Sequence, residues 1–174
     1  MTGSLGVALL LAAGTAWAEH PGYVDSSALV KLAGGDDAVR VEINLPGRIL
    51  RTFSGFDRDL YDLVKDVDSL TAVILELPST DLHEKAKSLI RDEGARLKKK
   101  GWDRIAVVRE EDSEVQVMLL VQDEVIQGLV VMVVDFDSGE LIFVNLAGTV
   151  DLEKIQMLGE QYDVPGLEHV RPEN

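Results

Sequence analysis

The chain has 174 residues, no cysteine, and 17 basic against 31 acidic side chains, which gives a formal net charge of −14. Such an acidic surface excludes nucleic acid as a partner, since a polyphosphate binder needs lysines and arginines that displace counterions. The lack of cysteine excludes disulfides, thiol catalysis, thiolate metal sites and an acylated lipoprotein leader.

Residues 1–18 read as a signal peptide. Leu5 to Ala13 is an uncharged apolar run, and Ala16-Trp17-Ala18 places small residues at −3 and −1 of a cleavage site before Glu19. The run is shorter than the roughly 20 apolar residues that span a bilayer, so no stable membrane insertion is expected once the leader is removed. Met1 to Leu5 contains neither lysine nor arginine. The leader's positive charge then comes from the amino terminus alone, or the true start lies upstream. The expected location is the periplasm or the exterior.

Residues 19–38 read as an N-terminal linker followed by a short helix or turn ending at Gly34-Gly35-Asp36-Asp37. A single domain is expected over 39–161. Val39, Val41, Ile43 and Leu45 alternate with polar residues as in a half-buried strand, and Pro46 stops it and opens a helical turn carrying Ile49, Leu50 and Phe53. Phe56, Leu60, Leu63, Val64 and Val67 recur at helical spacing with aspartates between them. Leu70 to Leu77 reads as a buried strand ended by Pro78. Ser79-Thr80-Asp81 offers capping side chains for the longest helix, whose stripe of Leu82, Ala86, Leu89, Ile90 and Leu97 runs to Lys98-Lys99-Lys100-Gly101.

Four apolar runs follow, Ile105 to Val108, Val115 to Val121, Val125 to Val134 and Leu141 to Leu146, joined by short polar links that favour antiparallel hairpins. Val125 to Val134 is expected mid-sheet, covered on both faces. Thr149 or Asp151 can cap a last helix through Leu158, and 162–174 reads as a C-terminal tail. The fold class expected is α+β: one largely antiparallel sheet of about six strands, with a C-terminal four-stranded meander and helices packed on it.

Candidate chemistry is sparse. His83-Glu84 begins like a zinc-protease helix, but Lys87 stands where the second histidine ligand is required. Asp57, Asp59, Asp62, Asp66 and Asp68 form the densest carboxylate group, yet Tyr61 and Asp62 break the calcium-loop pattern and the spacing is that of a solvated helix face. Asp135, Asp137 and Glu140 are weak metal candidates in a stretch whose Asp, Ser and Gly also suit a hairpin turn. Arg91, Arg96 and Lys98 to Lys100 make a local basic edge. Trp102, the one tryptophan beyond the leader, reads as a cover for an edge of the core and a possible ligand or partner contact. No cofactor is expected.

Pro21-Gly-Tyr-Val-Asp25, Val39 to Gly47, Trp102, Gly128 to Asp135, and Val144-Asn-Leu-Ala-Gly148 with Asp151-Leu152, in that order and spacing, resemble the bacterial family called domain of unknown function 4252. The resemblance implies an exported envelope domain with no assigned reaction, and it carries over no functional residue. The leading expectation is a non-catalytic binding or interaction domain of the bacterial envelope, linked to envelope sensing, that contacts another envelope protein or a small ligand. The alternative is a periplasmic hydrolase using paired carboxylates or a metal-bound water.

Overall fold

The computed structural model describes residues 20–55 and 58–151. The expected leader, the last helix from Leu152 and the tail lie outside the described residues. Six strands form one open antiparallel sheet: β1 (Val39–Pro46), β2 (Val67–Glu76), β3 (Trp102–Arg109), β4 (Ser113–Gln122), β5 (Val125–Asp135) and β6 (Glu140–Gly148), in the order β1-β2-β6-β5-β4-β3. The helices are α1 (Ser27–Ala33), α2 (Gly47–Ser54), α3 (Arg58–Val64) and α4 (Thr80–Lys99), with a 3-10 turn at Asp36–Ala38. The α+β class and the meander β3-β4-β5-β6 are as expected. The meander closes onto β2, where Leu70 faces Leu146 and Leu75 faces Leu141.

Successive side chains along a strand point to opposite faces, and the register divides the sheet cleanly. Val73, Leu75, Met118, Leu120, Val130, Met132, Leu141 and Phe143 face α1 and α4 and form one core with Leu29, Ala86, Ile90 and Leu97. Val115, Val117, Leu119 and Leu129 face the other way and cluster with Leu50 of α2, Val64 of α3, Val67 and Val150. Ser79 caps α4, its side chain accepting the Leu82 N–H, and the cationic residues Arg96, Lys98 and Lys99 occupy the last turn, where the helix dipole favours positive charge.

Three local expectations are revised. Val67, read as the end of a helix, opens β2 instead. The strand at Val39 to Leu45 forms, but Val41 and Ile43 are 38% and 40% exposed rather than half-buried, because β1 is an edge strand. The stretch read as a linker is packed on the sheet: Gly22 and Val24 are buried, and Val24, Leu29 and Ala33 belong to the core.

Candidate functional site

Residues 20–25 form a strap laid across one end of the α4-facing side of the sheet. Beneath it lies the cross-strand row Trp102, Leu120, Gly128, Ala147. Gly128 leaves the gap in which the strap fits: a Cβ there would stand 2.7 Å from Gly22 Cα and 2.7 Å from Trp102 Cη2, and one on Gly22 would overlap the Gln127 carbonyl oxygen. Glycine is required at both positions because two backbones meet without a side chain between them.

Asn145, 1% exposed, holds the strap down. Its Oδ1 accepts the Val24 N–H at 3.0 Å, and its Nδ2 donates to the carbonyls of Gly22 at 2.9 Å and Leu129 at 3.1 Å. A single buried amide thereby satisfies the Val24 N–H and the Gly22 carbonyl, which lie outside helix and sheet. The strap's other end is tied by His20, whose Nδ1 accepts the Gly22 N–H while Nε2 lies 3.3 Å from an Asp68 carboxylate oxygen.

Strap, sheet and helix end enclose a cleft of about 390 Å³. Val24, Leu97, Trp102 and Leu120 supply its apolar wall; Tyr23, Asp25, Arg96, Lys100 and Gln122 bring polar groups. Trp102 opens β3 directly after α4 and is only 3% exposed, a full member of the core as well as a wall of the cleft. Burial, reinforced by the nearby Asp25 charge, raises the Tyr23 phenol above its ordinary value, so it is a neutral donor at physiological pH. The Asp25 carboxylate accepts bonds from the Ser27 hydroxyl and N–H, which hold it below its ordinary value against some desolvation, with help from Lys31 and Arg96. Arg96 bonds Glu93 through Nε and one terminal nitrogen. Among the described residues nothing pairs with Lys100 or accepts the Trp102 indole N–H.

A second polar group lies under the middle of α4. Glu114, 2% exposed, is gripped by Arg91 and approached by Arg109 at 3.6 Å, and its Oε1 accepts from Gln116 Nε2 at 3.3 Å. Burial pushes the Glu114 carboxyl up, but the bonds and charge of Arg91, with Gln116 and Arg109, outweigh it and hold the group below its ordinary value. Gly94 makes the room, since a Cβ on it would overlap Gln116 Oε1.

The other candidates are dispersed. Asp135 Oδ1 accepts the N–H groups of Asp137 and Ser138, closing the β5–β6 turn in which Gly139 takes a φ of 67°, while Glu140 pairs with Arg40. His83 bonds the Leu77 carbonyl at 2.9 Å and stacks on Phe136, with Lys87 over the same ring. Of the aspartate-rich stretch, Asp62 pairs with Lys65 and Asp68 lies beside His20. Among the described residues no group of three or more His, Asp or Glu is placed to hold a metal ion.

Sequence reasoning singled out Trp102 but missed Asn145, Gly128 and the strap as parts of one site. Yet Pro21 to Asp25, Trp102, Gly128 and Asn145, all within stretches that carry the family resemblance, converge here from across the chain. Residues 35–158 match the family model described as domain of unknown function (DUF4252). The chain belongs to this family. A search of the curated proteins finds no match. The strap precedes the matched residues, although it is bound to Gly128 and Asn145 within them.

Proposed function

We propose that the protein is an exported, non-catalytic binding domain of the bacterial envelope and that the cleft between strap, Trp102 and the end of α4 is its binding site. One observation carries this reading: a buried indole, an apolar wall and several polar groups from three separate segments meet in a cleft of about 390 Å³. That volume falls within the range of small-molecule sites. The acidic, cysteine-free composition suits an exported domain, and the leader-like residues 1–18 support export.

The test is native mass spectrometry of the full chain after incubation with envelope extract and repurification, beside a Leu120→Arg variant that fills the cleft with a charge. A bound molecule or partner retained by the parent chain and lost from the variant is the expected result. Equal retention by both, or by neither, would contradict the assignment of the cleft.

A further inference from the structure

We infer that β1 is a pairing edge and that its occupant is the β1 strand of a second copy of this chain, laid antiparallel about a twofold axis at Ile43. An open sheet ends in two strands, each with backbone N–H and C=O groups turned outward that the sheet does not pair. The two edges are guarded differently. In β3 the register shifts between Arg104 and Ala106, which breaks the strand near its middle, and Asp103, Arg104 and Arg109 place charge along it. In β1 the shift lies between Val39 and Val41, so the strand is regular from Val41 to Pro46 with Glu42 as its one charge there. Arg40 to Asn44 are all exposed, and among the described residues no strand lies beyond them.

The apolar face beside this edge is open as well. Val41, Ile74 and Ile142 form one cross-strand row and Ile43, Ala72 and Val144 the next, all aliphatic and none of them buried. These residues lie outside both core clusters. Joining two β1 strands carries the rows from one copy into the other, so that Val41 and Ile43 gain apolar neighbours across the joint.

The residues of the edge select a second copy and its register. In an antiparallel pair, directly opposed side chains lie on one face with Cβ atoms about 4.5–5.5 Å apart. A twofold that keeps the aliphatic faces on one side passes through a residue of β1. An axis at Glu42 opposes two carboxylates, and an axis at Val41 draws the displaced Val39 and Arg40 into the pair. An axis at Asn44 sets Val41 against Gly47, where α2 has begun. With the axis at Ile43, Ile43 meets itself, Val41 meets Leu45, and Glu42 meets Asn44. This last pair joins a donor to an acceptor, and within one chain Asn44 Nδ2 already donates to Glu42 Oε1 at 2.6 Å. The strand is therefore complementary to its own antiparallel copy. A joint of two short strands is small, so the association is weak, on the order of tens of micromolar. The charge of −14 on each chain opposes it, and salt screens that repulsion.

Sedimentation velocity of the full chain from about 1 to about 300 µM tests the association. A monomer is expected at the low end and a dimer at the high end, with more dimer in about 0.5 M than in about 0.05 M sodium chloride. Ile43→Lys alters an exposed position and sets two ammonium groups on the axis, so it should stay monomeric throughout with the far-UV circular dichroism of the parent. The chain has no cysteine, so single thiols report the register. Ile43→Cys should oxidise to a linked dimer at least about tenfold faster than Ile105→Cys, at an exposed position on β3, because a disulfide needs Cα atoms about 4.4–6.8 Å apart. The thiol comparison stands whether or not Ile43→Lys folds. A monomer at every concentration, equal association of the parent and Ile43→Lys, or equal cross-linking at 43 and 105 overturns the pairing. Slow hydrogen exchange of the outward β1 amides in a monomer overturns it too, since the edge is then covered within one chain. A different protein held by the parent and lost from Ile43→Lys, with no dimer formed, overturns the second copy as occupant.

Discussion

Beneath α1 and α4 the sheet buries Ser69, Thr71, Glu114, Gln116 and Asn145 among its aliphatic residues. On the opposite face Val115, Val117, Leu119, Leu129, Val131 and Val133 meet Leu50, Val64 and Val67, and no buried polar side chain of the sheet points that way among the described residues. An aliphatic face is stabilised by area removed from water, a term with little direction, so it tolerates exchange of one apolar shape for another. A face with buried polar groups depends on specific partners, because each group left unpaired costs its desolvation. The α4-facing side is therefore the one that fixes a particular arrangement, and the strap and cleft are built on it.

The largest expected effect that separates the two faces comes from Asn145→Leu. It keeps the size of the side chain but strips the Val24 N–H and the Gly22 carbonyl of their partner, at about 1–3 kcal/mol for each group left unpaired. Urea unfolding should show that loss, and Trp102 emission should shift to the red as the strap lifts. Gly128→Ala comes next. Its Cβ would crowd Gly22 and Trp102, and an overpacked site of this kind costs about 1–3 kcal/mol. Release of the strap should relieve part of that cost, so limited proteolysis should cut near residue 22 faster in this variant than in the parent.

On the opposite face Leu119→Met should cost less than about 1.5 kcal/mol and leave Trp102 emission unchanged. A loss there as large as that of Asn145→Leu would erase the distinction between the faces.

The smallest effect is expected from pH. The Glu114 carboxyl lies lower in the folded chain than in the unfolded one, so its contribution to stability is complete above the unfolded value of about 4.3 and is lost as pH falls through the folded value. Urea midpoints measured from neutral to acid should fall through that range, and Glu114→Gln should flatten part of the fall. A steeper fall in the variant would show that the sign is wrong.

Much of the fold was legible in the residues because its signals are local. Alternation marked β1, short polar links marked the meander, and Ser79 with the lysines after Leu97 marked both ends of α4. The pairing of β6 with β2 was not legible, since strands whose nearest ends, Glu76 and Glu140, lie 64 positions apart leave no local mark. Exposure of Val41 and Ile43 depends on strand order as well, which alternation does not report. The site was legible only in part. Trp102 stood out as a lone aromatic, but the strap holds one buried aliphatic residue, Val24, and its seating rests on backbone contact with Gly128. No periodicity encodes that contact. Glu114 and Gln116 occupy positions that alternation alone would send to water, and they are buried because Gly94 lets α4 come close.

The central claim, that one buried amide holds the strap which walls the cleft, is tested most directly by hydrogen exchange at the Val24 amide. In the parent chain this proton should exchange slowly, with protection close to that of the amides within β5. In Asn145→Leu it should exchange rapidly while the β5 amides keep most of their protection. Fast exchange of Val24 in the parent chain, or equal protection in both proteins, would contradict the account.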